Sequence, residues 1–248
     1  MNGVSIITLS LKMNTSNKNF YDLPKYIQIS ELLIRDIGSG RLIDGERLPP
    51  ERVLANTLNV TVTTLRKSLK VLAEKGMLKQ VQGSGNYVCH GAKDDSVYAM
   101  FRLELLKGGG LPSAKFIDIK QVVKPPNIPS FGTSNIATRM RRIRYLDETI
   151  IGLEEIWLDF DEGVVKKNQV SDSLYHYYRT RLGFWITHAE DRVSIGPLPD
   201  WTPNDFSLCA GTITGFIERF SWTKKTKPIE YSKTWYDTNN AHYVQRLK

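Results

Sequence analysis

The stretch from Leu48 to Cys89 constrains the fold most, because two short helical patterns with a turn between them are followed there by a hairpin pattern. The second helical pattern has an apolar stripe at helical spacing, formed by Val62, Leu65, Leu69 and Leu72. Another face of the same helix carries Thr63, Arg66, Lys67 and Lys70. One buried face beside one basic face is typical of a helix that lies in a DNA groove.

The charge of the chain agrees with this interpretation. The 248 residues contain 34 Lys and Arg against 26 Asp and Glu, which gives a net charge of +8 and a pI of about 9.4. Residues 1–90 hold 12 basic and 7 acidic side chains, or +5, and residues 91–248 hold 22 and 19, or +3. Positive charge is densest around the basic helix, which favours a polyanionic partner such as DNA. Charge alone would also fit a merely soluble basic surface.

Composition and motif spacing exclude several classes of protein. The two cysteines, Cys89 and Cys209, lie far apart and belong to no CxxC pattern, so neither a disulfide framework nor a zinc site is predicted. The histidines have no nucleophile or metal-ligand partner at motif spacing, so we predict no catalytic residue, metal or cofactor. Without an apolar run of about 18 residues, no membrane span is expected. Residues 1–19 lack signal-peptide features and predict a flexible arm on a cytoplasmic chain.

Local signals place three helices in the first part of the chain. We expect the first helix to begin near Pro24, with Asp22 capping it from outside. The second helix follows Pro50, and the third begins after Thr61 as its N-cap and ends at Gly76.

A hairpin completes this part. Strand-like segments at 78–82 and 86–88 flank Gly83-Ser84-Gly85, where glycine lets the backbone turn and approach a phosphate closely. The sequence therefore predicts a winged helix-turn-helix domain over residues 20–90, followed by a polar linker at 91–97.

Residues 98–248 predict a second domain of mixed α/β structure. Strand-like runs occur at about 115–123, 139–146, 149–158, 214–222 and 229–236. Helical patterns fit Tyr98 to Leu106, Asp172 to Arg181 and a shorter piece from Pro203. The run Gly108-Gly109-Gly110 lacks the GxGxxG spacing of a phosphate loop.

Alternation along two of these strands groups polar side chains. Arg142 and Arg144 share one face of their strand, and another strand puts on one side Glu230, Ser232, Thr234 and Tyr236. From the residues alone, such a face is either exposed to solvent or the lining of a polar pocket.

Several motifs resemble those of a known family. In the first half they are Tyr26-Ile27-Gln28-Ile29, Gly40-Arg41-Leu42, Gly45-Glu46-Arg47-Leu48-Pro49, Leu54-Ala55 and Val60-Thr61-Val62-Thr63-Thr64-Leu65-Arg66. In the second half they are Arg142-Ile143-Arg144, Glu154, Ser173-Leu174-Tyr175 and Pro228-Ile229-Glu230-Tyr231-Ser232. The chain thus resembles the GntR family of bacterial transcription regulators, in the HutC-type branch with a UTRA effector domain. The resemblance implies an α+β fold, with a winged helix-turn-helix followed by a mixed α/β UTRA domain similar to chorismate lyase.

The resemblance also implies which residues contact a double-stranded DNA operator. Arg52 and Arg66 would reach the bases, where an arginine can hold guanine with two hydrogen bonds. Phosphate contacts would come from Thr61, Thr63, Thr64 and Lys67. The wing, formed by Gln82, Gly83, Ser84 and Gly85, would enter the minor groove. A salt bridge within the domain is the alternative for Arg52, and a solvated helix face is the alternative for Arg66.

Two positions depart from the family pattern. The family usually has an arginine immediately after the Ser/Thr cap of the recognition helix, and this chain has Val62. Valine can pack inward or touch a thymine methyl but cannot read guanine, so a different operator sequence is expected. Pro50 also replaces the common serine cap of the second helix.

By the same resemblance, an effector cavity would be lined by Arg142, Arg144, Glu154, Ser173, Glu230 and Tyr236, with Arg102 as a further anion contact. Paired arginines suit a phosphate or carboxylate, while carboxylates suit sugar hydroxyls or an amino group. The expected effector is a phosphorylated sugar or a sugar-amine derivative.

The resulting expectation is a homodimeric repressor that a small anionic metabolite releases from its operator, with no membrane partner. Activation instead of repression stays open. Two other classes also remain: an enzyme on the chorismate-lyase-like fold, and a DNA-binding protein that senses no small molecule.

Overall fold

The structure is a computed structural model that describes residues 23–89, 98, 100–170 and 173–246. The N-terminal arm expected at 1–19, the Asp22 cap and the linker expected at 91–97 lie outside these residues. No helix in the described part of the chain is long and apolar enough to span a membrane.

The first unit has the predicted winged helix-turn-helix arrangement. Its elements in chain order are α1 (Lys25–Gly38), α2 (Glu51–Thr57), α3 (Val62–Glu74), β1 (Leu78–Val81) and β2 (Gly85–Val88). The hydroxyl of Thr61 accepts the backbone N–H of Thr64 at 3.2 Å, so the predicted N-cap of α3 is confirmed. Pro50 precedes α2 without any side-chain cap.

A single apolar core holds these helices together. Leu65, Leu69 and Leu72 of α3 are completely buried and pack with Ile29 and Leu33 of α1. Val62 lies partly buried against the same cluster, so of its two sequence-based alternatives the structure shows inward packing.

The second unit is built on a six-stranded antiparallel sheet, ordered β4-β5-β6-β9-β8-β7. The strands are β4 (Pro112–Val123), β5 (Ile136–Leu146), β6 (Thr149–Asp159), β7 (His188–Pro197), β8 (Ile213–Trp222) and β9 (Glu230–Tyr236). A separate two-stranded pair joins β3 (Leu103–Leu105) to β10 (Ala241–Tyr243). Helix α4 (Leu174–Tyr177) packs on one face of the large sheet, against Met140 and Ile156.

Five predicted strands are confirmed and two predicted helices are wrong. The segment predicted as a helix from Tyr98 to Leu106 instead contains β3, whose three residues are all buried. The piece from Pro203 forms turns and bends. In the predicted helix Asp172 to Arg181, Ser173 is the N-cap of α4 and a π-helical turn follows from Tyr178 to Leu182, while Asp172 lies outside the described residues.

Candidate functional site

Helix α3 presents its polar side chains outward, as the sequence predicts. Thr61, Thr63, Arg66 and Lys67 are exposed, and Thr64 is half-buried. The hydroxyls of Thr61 and Thr64 bond to each other at 2.9 Å. Beside them lies a shallow depression lined in part by Lys25 and Asn59, which the sequence did not single out.

An ion pair joins α3 to α2. Nε of Arg66 donates to Oε2 of Glu51 at 2.7 Å, with the two side chains 67% and 31% exposed. Arg52 is exposed and forms no ion pair with any residue that the structure describes. The salt bridge within the domain that was considered for Arg52 is therefore formed by Arg66 instead. Exposed pairs of this kind contribute only about 0–1 kcal/mol, so DNA can displace Glu51 from Arg66 at little cost.

The predicted wing is a tight turn between β1 and β2. Gly83 has φ of +74° and Gly85 has φ of +131°, both in the region that favours glycine. The hydroxyls of Ser84 and Tyr87 lie 2.7 Å apart and brace the turn. Arg47 crosses it, because a Cβ on Gly85 would lie 3.2 Å from the Nε of Arg47. This exposed arginine adds positive charge to the wing, and sequence reasoning missed it.

In the second unit, one cavity gathers most of the predicted polar residues. It encloses about 530 Å³ not filled by protein atoms, open mouth included. The residues predicted for the effector site that line it are Arg142, Arg144, Glu154, Ser173 and Glu230. Of the two interpretations of the polar strand faces, the structure shows the pocket lining for Arg142 and Arg144 and for Glu230 and Ser232.

Two predicted residues lie elsewhere. Tyr236 is on the same sheet face as Glu230, but its ring packs over Gly215, where an added Cβ would be 2.2 Å from the ring's Cζ. It belongs to an apolar cluster beneath β3 and β10, so its placement in the cavity was wrong. Arg102 does not line the cavity either, and its Nε donates to Oε1 of Gln245 at 2.9 Å. The neighbouring Phe101 lines the cavity in its place.

Arginines keep one cavity carboxylate ionised. Arg142 approaches Oε2 of Glu154 with Nε at 2.8 Å and Nη2 at 2.6 Å, and Nη1 of Arg144 lies 3.7 Å from the same oxygen. Burial alone would raise the pKa of Glu154, but the two arginines outweigh it and lower the pKa below its usual value. Glu154 is therefore negatively charged at neutral pH.

The second carboxylate has a different environment. Glu230 is 2% exposed and accepts hydrogen bonds from the Tyr178 hydroxyl at 2.6 Å and the Ser221 hydroxyl at 2.9 Å. Burial raises the pKa of Glu230 above the ordinary value, and these two hydrogen bonds only partly oppose the shift. The two cavity carboxylates thus differ in how readily they take up a proton.

A third arginine, Arg219, reaches the cavity from β8. Asp191 of β7 holds it with two bonds, at 2.5 Å to Nε and 2.7 Å to Nη2. Three arginines thus face Glu154 and Asp191, whose pKa values are both lowered, and Glu230, whose pKa is raised. Arg219 was missed because its importance depends on the pairing of β7 with β8, and β7 was not predicted. No group of three metal-ligating side chains occurs among the described residues.

Comparisons with known proteins cover both units. A family model described as "Bacterial regulatory proteins, gntR family" matches residues 25–88, and one described as "UTRA domain" matches residues 108–242. The HTH-type transcriptional regulator SmoD of Agrobacterium fabrum (strain C58) is 47% identical over 228 residues, which span 91% of this chain and 97% of SmoD.

Two further relatives are more distant. The Mannosyl-D-glycerate transport/metabolism system repressor MngR of Escherichia coli (strain K12) is 28% identical over 152 residues, or 54% of this chain and 58% of MngR. The crystal structure of the possible transcriptional regulator YydK from Bacillus subtilis superposes with a TM-score of 0.50 at 25% identity, covering 91% of this chain and all of that one.

Proposed function

The chain belongs to the GntR family of bacterial regulatory proteins and carries a UTRA domain, and on this premise we propose that it is a repressor released from its operator by a small anionic metabolite. A phosphorylated sugar or a sugar-amine derivative is the proposed class of effector. The observation that carries the proposal is the cavity of the second unit, with its three arginines and its two unlike carboxylates.

The charges of the cavity favour an anion. Arg142 and Arg144 both approach the carboxylate of Glu154 in the cavity wall. An anionic group entering between them meets planar donors that can bind it through paired, charge-assisted hydrogen bonds.

The remaining lining favours a polyhydroxylated or amino-bearing body. Glu154 and Glu230 can accept hydrogen bonds from hydroxyl or amino groups, and Ser173 and Ser232 can both donate and accept them. The relative MngR is named as the repressor of a mannosyl-D-glycerate system, and that compound is a sugar glycoside with a carboxylate.

Repression relieved by the effector follows from linkage. An effector that prefers the arrangement unable to hold DNA weakens operator binding by the ratio of its affinities for the two arrangements. We propose a homodimer, because two winged helices related by twofold symmetry would match two half-sites about one DNA turn apart.

The test is fluorescence anisotropy of the purified chain with its own upstream DNA at two salt concentrations. Hexose phosphates, hexosamine phosphates and glycosyl glycerates form the test panel, with uncharged sugars and amino or aromatic acids as comparators. We expect one anionic sugar to weaken DNA binding, and we expect the response to be lost in Arg142→Lys but kept in Arg139→Lys, which alters an arginine of the same strand paired with Asp118 instead.

Three results would contradict the proposal. If only amino or aromatic acids respond, the effector class is wrong. Salt-sensitive binding without sequence preference or ligand response would favour a DNA-binding protein that senses nothing. Turnover of the bound compound would indicate an enzyme on this fold.

A further inference from the structure

Helix α1 has two contact faces. Its inner stripe, with Ile29, Leu33 and Ile37, packs into the winged-helix core. A second stripe at positions i, i+4 and i+8 is formed by Ile27, Glu31 and Arg35. This second stripe faces the unit that contains the cavity.

Each residue of the second stripe meets a different part of that unit. Ile27 packs in a small apolar cluster with Tyr98 and Trp185. Burial lowers the pKa of His176 in α4, and the nearby carboxylate of Glu31 opposes that shift. Arg35 lies over the ring of Phe101.

The elements that α1 touches also line the cavity. Tyr98 and Phe101 contribute to its wall on one side, and Leu174 and Tyr175 of α4 contribute on another. His176, next to Tyr175 in sequence, lies toward Glu31. Tyr98 and Phe101 therefore both line the cavity and contact α1, and α4 lines the cavity with Leu174 and Tyr175 and approaches α1 with His176.

Phe101 connects two arginines. The guanidinium carbon of Arg144 lies 4.7 Å from the ring centroid, and that of Arg35 lies 6.0 Å away. Arg35 is 3% exposed, and its Nε and Nη2 bond to Asp36 at 3.3 and 3.0 Å. Its Nη1 has no hydrogen-bond partner within the described chain, and the ring of Phe101 adds a cation–π attraction to the guanidinium.

Just beyond the C-terminal end of α1, the chain is anchored by the three-glycine loop. A Cβ on Gly109 would lie 1.9 Å from Nη1 of Arg41, so only glycine allows the guanidinium to rest there. Nη1 of Arg41 also lies 3.3 Å from Oδ2 of Asp36. The loop is fixed in turn by Glu104, which accepts the N–H of Gly109 and pairs with Arg246 at 2.6 Å. This contact has no part in the cavity and forms a fixed point beside the Phe101 contact.

We propose that Phe101 is the positioning residue that couples occupancy of the cavity to the placement of the DNA-binding unit. This inference rests on the proposed function and names the residue through which an effector in the cavity would act on the DNA-binding unit. An anion that engages Arg144 draws its guanidinium away from the ring, the ring shifts, and Arg35 loses a contact. Helix α1 then loosens from the second unit about the contact of Arg41 with the glycine loop.

Hydrogen exchange of the full-length chain tests this coupling without any effector or DNA. Arg144→Lys keeps the charge and removes the planar stack on Phe101, while Arg139→Lys makes the same change elsewhere on β5. We expect the amides of residues 25–38 to exchange about three- to tenfold faster in Arg144→Lys, as the loss of a partly desolvated cation–π contact predicts. Arg139→Lys should leave that segment unchanged.

Phe101 variants complete a double-mutant cycle. Phe101→Leu should itself speed exchange in α1 and abolish any further effect of Arg144→Lys, whereas Phe101→Tyr, which keeps the ring, should preserve that effect. The proposal is overturned if Arg144→Lys affects α1 no more than Arg139→Lys, a comparison that needs neither Phe101 variant. It is also overturned if Arg144→Lys has its full effect on exchange in α1 when Phe101 has been replaced by leucine. A chain that passes this test but responds to no anionic sugar would refute the proposed effector alone.

Discussion

The ion pair between Glu51 and Arg66 leads to the following prediction: removal of the negative charge of Glu51 should strengthen DNA binding. Glu51→Gln frees Arg66, which is 67% exposed and 2.7 Å from the carboxylate. An exposed pair is worth about 0.2–1 kcal/mol, or about 1.4- to 5-fold in a binding constant. That is the expected gain in affinity from releasing Arg66. Because Glu51 also lies in the first turn of α2, its loss should lower helix stability by about 0.3–1 kcal/mol.

The matched control is Glu74→Gln. Glu74 is also on the winged helix and is paired with a cation, Nζ of Lys70 at 3.8 Å, so the change in net charge is identical while Arg66 stays paired. Anisotropy titrations of both variants on the same upstream DNA and on a scrambled sequence separate the two effects. A general charge effect raises affinity in both variants, and only the difference between them reports on Arg66. Weaker operator binding by Glu51→Gln than by Glu74→Gln would refute the reasoning and indicate that Glu51 holds Arg66 in its base-reading position.

Three further predictions concern stability and pH. Thr61→Ala removes the cap of α3 and should cost about 0.5–2 kcal/mol in denaturant unfolding, whereas Thr63→Ala, which removes no cap, should cost less. Gly109→Ala places a methyl against Arg41 at a φ of +70° and should lower the melting temperature more than Gly211→Ala, which has a similar φ but open space around it. The raised pKa of Glu230 favours the protonated folded state, so its contribution to stability is complete below the unfolded pKa and is lost as pH rises through the folded value. The melting temperature of Glu230→Gln should therefore rise relative to the wild type between pH 4 and 8, and a constant difference would show that Glu230 is not shifted.

The first unit could be predicted almost residue by residue because its signals are local. The apolar spacing of Leu65, Leu69 and Leu72, the cap at Thr61 and the glycine at position 76 each act within a few residues of the chain. The ion pair of Arg66 was not predictable in the same way, since its partner lies 15 residues away on another helix.

In the second unit, several site features could not be predicted from the sequence because they depend on how distant strands pair. Strand alternation correctly placed Arg142 and Arg144 on one face, but it could not show that Tyr236, on the same face as Glu230, is covered by the pair of β3 and β10. Strand β7 is an edge strand with mostly exposed residues, so it lacks the apolar alternation that identifies half-buried strands. The cavity charge contributed by Arg219 depends on that strand and was missed with it.

The proposed release mechanism is tested most directly by reciprocity between the two ligands. Calorimetry gives the affinity of the active anionic sugar for the free chain and for the chain saturated with upstream DNA, and anisotropy gives the affinity for DNA with and without that sugar. We expect DNA to weaken binding of the sugar by the same factor by which the sugar weakens binding of DNA, because linkage requires the two factors to be equal. A sugar that binds the cavity with equal affinity in the presence and absence of DNA would contradict effector-gated release.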